Sequence, residues 1–321
     1  MTVAISCGEP AGIGPEIAAK AWAALKSDFP MLWIGDPTHL PAGTPWKAVE
    51  NPEQAASLSH EYLPVLPKDF GAPLTHGTAT PVHAAGVIDS IETGVNLVGS
   101  DQCSAICTAP IHKKALADGA GFTYPGHTEF LAALAGVDQV VMMLASDAMR
   151  VVPATIHIAL EDVPNAFTAT VLTDTVLITH AALRRDFGIP NPRIVVAGLN
   201  PHAGEGGKMG MQELDWMIPT VEALAAQGID IRGPLPADTM FHARARQTYD
   251  AAICGYHDQA LIPIKTIDFD NGVNVTLGLP FVRTSPDHGT AFDIAGKGIA
   301  NPSSMIAALK MAHKMGTQRG A

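Results

Sequence analysis

The chain has 321 residues, 47% of them hydrophobic, which is enough for a large core and for two lobes. Its formal net charge of −11 comes without any basic run, which excludes the clustered Lys and Arg of a nucleic-acid or anionic-membrane surface and points to a small-molecule partner. The opening MTVAISCGEP has no basic n-region and no apolar h-region, and no later apolar run is long enough for a bilayer, so a cytoplasmic protein is expected.

In chain order, TVAIS reads as a first strand and PEIAAKAWAALK as a helix, with Pro15 in its first turn and Gly12 and Gly14 turning the loop before it. The proline-rich, weakly periodic stretch from Pro37 to Leu74 is the least regular part and is expected on the outside. SAICTA then reads as a strand and IHKKALADG as a helix. MRVVPATIH and RIVVAGLN end as strands, MQELDWMIPTVEALAAQG is helical, YDAAICGY is a strand, and SSMIAALKMAHKM is a final helix. Strands interleaved with helices predict an α/β fold whose parallel strands are joined by crossover helices. Cys7, Cys103, Cys107 and Cys254 lie in or beside apolar strand-like segments and read as reduced, buried thiols; Cys103 and Cys107 have the spacing of neither a zinc knuckle nor a redox pair. No linker divides the chain, so a second lobe is expected as an insertion, with the two ends of the chain sharing the other.

Of the thirteen histidines, His39, His60, His76, His83, His180, His242 and His313 fall in loops or on helix faces and call for no functional role. His157, His202 and His257 share a position: each follows a predicted strand at its C-terminal end, the edge where open α/β sheets bind ligands. Taken singly, each is as readily a structural histidine. Together, three neutral imidazoles on strand ends suit a zinc-type ion with one position open to a substrate oxygen. His112 also follows a strand, but Lys113 and Lys114 beside it suit an anion better.

The stretch GLNPHAGEGGKMG carries its glycines at the spacing of neither a G-x-G-x-x-G fingerprint nor a phosphate loop. It reads as a flexible loop whose backbone N–H groups approach an anion near His202, or as a plain surface turn. In YPGHTEFLA, His127 and Thr128 precede an apolar helical pattern; Thr128 is either a helix cap or part of an anion site at the helix start. Lys265, Asn274 and Arg283 stand at strand ends among apolar neighbours, where an anionic ligand would partner them.

DHGTAFDIAGKGIANPSSMIAAL resembles the adenosine-binding loop and following helix of the isopropylmalate and isocitrate dehydrogenase superfamily. Together GEPAGIGPEI, TAPIHKKAL, YPGHTEF, GLNPHAGEGG, GPLPADTMF, YHDQALIPIK and GVNVTLGLPFVRTSPDHGTAFDIAGKG resemble the 4-hydroxythreonine-4-phosphate dehydrogenase family, over essentially the whole chain. The resemblance implies two α/β/α lobes with an active-site cleft: a cofactor-side lobe at about 1–128 plus 279–321, and a metal, substrate and dimerisation lobe at about 129–278. It makes His157, His202 and His257 the metal ligands, for zinc or cobalt, with magnesium also serving. His127, Thr128, Lys265, Asn274 and Arg283 become substrate contacts, and His288, Gly289, Thr290, Asp293 and Asn301 cofactor contacts, for NAD or NADP. The implied reaction is oxidation of 4-phosphooxy-L-threonine at C3, followed by decarboxylation, by a homodimer with ligands drawn from both chains. Lys265 is the leading base once a closed cleft strips it of water; Asp238 and Asp258 are alternatives that could instead orient imidazoles. Two other readings stay open: a sister enzyme acting on 4-phospho-D-threonate or erythronate, and a zinc-dependent sensor without turnover.

Overall fold

The computed structural model describes residues 1–320. In chain order its strands are β1 (Val3–Ser6), β2 (Met31–Gly35), β3 (Trp46–Ala48), β4 (Leu63–Pro67), β5 (Ala105–Thr108), β6 (Val141–Ala145), β7 (Arg150–Pro153), β8 (Arg193–Ala197), β9 (Asp230–Leu235), β10 (Ala251–Cys254), β11 (Val273–Leu277) and β12 (Arg283–Pro286). Among the described residues eleven α-helices, three of them of seven residues or fewer, connect them. The chain forms two compact units, Met1–Val140 with the C-terminal segment from Leu279, and Val141–Gly278. The helix His127–Ala135 stays with the first unit because it packs on the helix Ala84–Gly99, which carries the boundary past the expected residue 128.

In the first unit the strand order is β3-β4-β2-β1-β5-β12 and every pair is parallel. β1, β2, β5 and β12 are buried along their whole length, as expected of parallel strands covered by helices on both faces. The helix Gly14–Leu25 starts with Pro15 in its first turn and buries Ile17, Ala18, Ala21, Trp22 and Leu25, one continuous stripe at helical spacing. Each such apolar side chain removed from water contributes about 1.5–3 kcal/mol. The region from Pro37 to Leu74 is more regular than its sequence suggests. It holds β3, β4 and the helix Pro52–Leu58, and Leu63 and Val65 are fully buried. The prolines at both ends of LPVLP masked a short strand near the sheet edge, where a missing N–H is tolerated.

In the second unit the order is β11-β6-β7-β10-β8-β9. β7, β10, β8 and β9 are parallel, but β6 runs antiparallel to both β7 and β11. The all-parallel expectation fails here. Residues 146–149 turn the chain directly from β6 into β7, closed by a hydrogen bond from the Ser146 N–H to the Met149 carbonyl (2.9 Å), and so short a link suits only antiparallel neighbours. Leu144, Val151, Val195, Ala252, Leu261 and Ile264 form part of this unit's core. All four cysteines are free and buried, and burial pushes the Cys103 and Cys107 thiols up to about 12. Among the described residues no single helix is long and apolar enough to cross a membrane.

Candidate active site

β7, β10 and β8 are adjacent and parallel, so their C-terminal ends share one edge of the second unit's sheet. His157, His257 and His202 follow these three ends in turn. Cross-links hold the exits in register. The Ala154 N–H donates to the Cys254 carbonyl (2.8 Å), and Thr155 donates to the Gly255 carbonyl through its N–H (3.2 Å) and hydroxyl (2.7 Å). Gln259 accepts from the Gly255 N–H (2.7 Å) and donates to the Gly198 carbonyl (2.8 Å), joining the β10 and β8 exits. A pocket of about 330 Å³ lies there, lined by Thr155, Ile156, His157, Tyr256, His257 and Asp258 among others. The His157 and His257 rings stand 5.7 Å apart, centroid to centroid.

His257 opens the helix His257–Ile267, and its Nδ1 lies 2.7 Å from Asp258 Oδ1. His202 Nδ1 lies 3.1 Å from Glu205 Oε2. A carboxylate on Nδ1 fixes the ring and leaves Nε2 with its lone pair, the arrangement that metal-ligating histidines use. The donor chemistry fits a divalent ion. Yet His202 does not close on the other two: among the described residues no three His, Cys, Asp or Glu side chains form one ligand cluster.

The loop Pro201–Gly207 explains where His202 sits. His202, Ala203, Gly204, Glu205 and Gly206 all take positive φ with left-handed or near-left-handed ψ, a short turn of the wrong hand for L-residues. For the three non-glycine residues such a backbone costs about 1–2 kcal/mol each, so neighbouring contacts must hold it. Asn200 and Glu213 supply them. The Glu213 side chain accepts from the Asn200 N–H (2.8 Å) and from its Nδ2 (2.9 Å), and Glu213 is 1% exposed. The carboxylate lies so close to Gly204 that a Cβ there would sit 2.7 Å from Oε2.

Asp238 is exposed on the turn Ala237–Thr239, which packs against Pro201–Gly207. Lys265 lies eight residues after His257 on the same helix, about 12 Å along its axis, and its Nζ is 5.7 Å from the Phe269 ring centroid. Asn274 lies in β11 with its Oδ1 buried and unpartnered.

In the first unit, Arg283 begins β12 and is 3% exposed. Its Nε and Nη2 donate to the Thr108 hydroxyl at the end of β5 (3.1 and 2.7 Å). Burial pulls its guanidinium down to about 10, which still leaves it charged at neutral pH. His127 is the first residue of the helix His127–Ala135, capped by Gly126 rather than by Thr128. Burial, then the nearby Arg283 charge, holds the His127 imidazole well below its usual value, and its buried Nε2 is unpartnered. A neutral histidine, an arginine and the free N–H groups of a helix start suit an anionic group with hydrogen-bonding oxygens.

The loop after β12 docks on the helix Gly14–Leu25. The Ile13 N–H donates to the Thr290 carbonyl (3.0 Å), and Gly12 approaches so closely that a Cβ would meet that carbonyl at 2.7 Å. Lys20 Nζ donates to Glu16 (2.7 Å) and to the Gly298 and Ala300 carbonyls (2.9 and 2.8 Å), while Glu16 accepts from the Ala300 N–H (2.9 Å). His288 Nδ1 lies 3.0 Å from the Gly289 carbonyl, and its Nε2 is buried and unpartnered. Gly289 and Asp293 are exposed, and Asn301 Oδ1 accepts from the Ser303 N–H and hydroxyl (3.0 and 2.7 Å). Beside the loop runs a groove of about 500 Å³ lined by Gly12, Lys20, Trp22, His39, His76 and Gly296 among others.

Sequence reasoning passed over Thr108, Glu16, Lys20, Glu205 and Glu213. Thr108 and Glu16 stood inside quoted motifs, TAPIHKKAL and GEPAGIGPEI, and the strand-end rule would have reached Thr108. His39 and His83, read as loop histidines, are 2% and 1% exposed, with ring centroids 5.2 Å apart.

The chain comprises an all-parallel α/β unit and a mixed one, carries histidines at the ends of adjacent parallel strands, and has no G-x-G-x-x-G turn. Residues 29–312 match the family described as pyridoxal phosphate biosynthetic protein PdxA, and the chain belongs to that family. It is 66% identical over 314 residues to 4-hydroxythreonine-4-phosphate dehydrogenase of Roseobacter denitrificans, covering 98% of this chain and 96% of the relative. Identity to the protein of the same name from Ruegeria sp. is 62% over 317 residues, covering 99% and 97%. A crystal structure of 4-hydroxythreonine-4-phosphate dehydrogenase from Klebsiella pneumoniae superposes with a TM-score of 0.89 at 34% identity, covering 98% of this chain and 99% of that one.

Proposed function

We propose that this chain is an NAD-dependent, metal-dependent dehydrogenase of the pathway to pyridoxal phosphate. It oxidises 4-phosphooxy-L-threonine at C3 to 2-amino-3-oxo-4-phosphooxybutanoate, a β-keto acid that loses carbon dioxide to leave 3-amino-2-oxopropyl phosphate. The observation that carries the reading is the row of three histidines at the ends of adjacent parallel strands, two of them with Nδ1 against a carboxylate. This is an oxygen-polarising donor set in a chain whose named relatives are dehydrogenases.

His157, His202 and His257 would hold the ion, zinc before cobalt or magnesium given the all-imidazole donors. When bound, the ion supplies a Lewis acid for the C3 oxygen and the dinucleotide supplies the hydride acceptor. Asp258 and Glu205 set the orientation of the His257 and His202 rings. Arg283, His127 and Thr128 hold the anionic groups of the substrate, and Asn274 Oδ1 accepts from its amine or hydroxyl. Lys265 takes the proton from the C3 hydroxyl as hydride leaves. Asp258, engaged by His257, serves better as an orienting group than as the base, and Asp238 supports the turn beside His202. His288, Gly289, Thr290, Asp293 and Asn301 take the adenosine end of the dinucleotide. The protein acts in the cytoplasm as a homodimer, a reading supported by Leu160, Ile262 and Phe269, which are left 69%, 61% and 72% exposed.

Chelator treatment followed by metal addition tests this. Stripped protein should form no NADH from 4-phosphooxy-L-threonine, and added zinc or cobalt should restore both NADH and carbon dioxide release. Full turnover by protein shown to be metal-free would overturn the metal assignment.

A further inference from the structure

We propose that Glu213 is a positioning residue which, through Asn200, sets the left-handed turn that presents His202; this rests on the reading of His202 as a metal ligand. The turn's internal hydrogen bonds, Ala203 N–H to the Asn200 carbonyl (3.1 Å) and Met209 N–H to the Gly204 carbonyl (3.1 Å), close it on itself but tie it to nothing outside. The turn also packs on β9 and on the turn Ala237–Thr239, but the buried side chain that hydrogen-bonds its entrance at two points is Glu213.

Glu213 lies where the chain enters a π-helical turn, Glu213–Met217, and both of its oxygens are used. Oε1 accepts the Asn200 N–H (2.8 Å), which fixes the residue from which the turn departs. Oε2 accepts Asn200 Nδ2 (2.9 Å) and faces Gly204 in the middle of the turn. Asn200 Nδ2 also donates to Gln212 (2.8 Å), and the Asn200 amide fills the space a Cβ on Gly210 would need. A two-point clamp of this kind fixes both the position and the direction of the departing backbone, and so the direction of the imidazole two residues on. Glu205, which holds His202 Nδ1, is carried on the same turn and moves with it. Removing the clamp therefore frees ligand and ring partner together, without touching His157 or His257.

The test uses the full-length protein, stripped with chelator and titrated with cobalt(II), whose visible absorption reports the ligand set. Four variants are compared with wild type: Glu213→Ala, Glu213→Asp, Glu213→Gln and His202→Ala. Glu213→Ala and Glu213→Asp should weaken cobalt binding by about 10–100-fold, the range for loss of an outer-shell partner, and shift the cobalt spectrum toward that of His202→Ala. Glu213→Gln keeps an acceptor for the Asn200 N–H, and its amide pairs with a flipped Asn200 side chain, so most of the affinity should return. Wild-type cobalt affinity in Glu213→Asp, with His202→Ala weakened, would overturn the positioning role and leave the ligand reading standing. Wild-type affinity in His202→Ala would overturn the ligand reading itself. Glu213→Asp carries the decision should Glu213→Ala fail to fold, because it keeps the buried carboxylate and changes only its reach.

Discussion

Two glycine-bearing loops carry the proposed chemistry, and they are held in opposite ways. The segment from Thr290 to Ala300 lies along a long helix and is fastened at three places, by Ile13, Lys20 and Glu16. The turn Pro201–Gly207 takes positive φ along five consecutive residues, at a strain cost at His202, Ala203 and Glu205, and is fastened at its entrance by the Asn200–Glu213 pair. The first arrangement spreads its support, so that losing one contact loosens the loop slightly. The second concentrates it, as suits a turn that must hold one imbalanced backbone for one side chain. On the proposed function, strain is kept where one imidazole must be aimed, and distributed docking where a large, flexible ligand has only to be gripped.

The largest effect should follow removal of the side chain the strained turn exists to present. His202→Ala should lose bound metal and lower turnover by more than the roughly 100-fold that an outer-shell change costs, read by metal analysis and NADH formation. Next comes the buried cation of the first unit. Arg283→Ala should lower kcat/KM by about a hundredfold, equivalent to roughly 3 kcal/mol, mostly through KM for the phosphorylated substrate. An unchanged KM would place Arg283 in the fold alone. For the distributed loop, Lys20→Ala should raise KM for NAD by about tenfold or less while leaving kcat and metal content unchanged, since Ile13 and Glu16 still hold the backbone. A collapse of activity in Lys20→Ala would erase the contrast between the loops.

The smallest effect is on pH. Burial lowers the His39 and His127 imidazoles below their ordinary 6.5, so the unfolded chain binds these protons more readily than the native one. Stability is thus fully present above pH 6.5 and falls as the pH drops toward the folded values, by at most about 1.4 kcal/mol per pH unit for each group. Melting temperature followed against pH should show this acid limb, and His39→Gln should flatten it.

Much of the site was legible because strands advertise their ends. VVP, IVVA and AAIC are apolar runs that each stop shortly before a histidine, and strand adjacency then places the three on one edge. The His127 helix and Arg283 were legible for a similar reason, as polar groups set among apolar ones. What escaped was whatever depends on hand or on sheet direction. Glu205 reaches His202 only because the backbone between them is left-handed, a geometry that no helical or strand period encodes. Glu213 lies thirteen residues from Asn200 and reads as an ordinary helix acid until the fold buries it. β6 was hidden because a hairpin of four residues, SDAM, carries no glycine to announce it. The spacing of Lys265 from His257 was equally invisible until both were placed on one helix.

The most direct test offers zinc-loaded protein and NAD the two candidate substrates side by side, 4-phosphooxy-L-threonine and 4-phospho-D-threonate, and follows NADH absorbance with carbon dioxide release. Clear preference for the amino acid, with one carbon dioxide per NADH, is the expected result. Turnover confined to the sugar acid, or silence with both in protein that holds its metal, would contradict the proposed function.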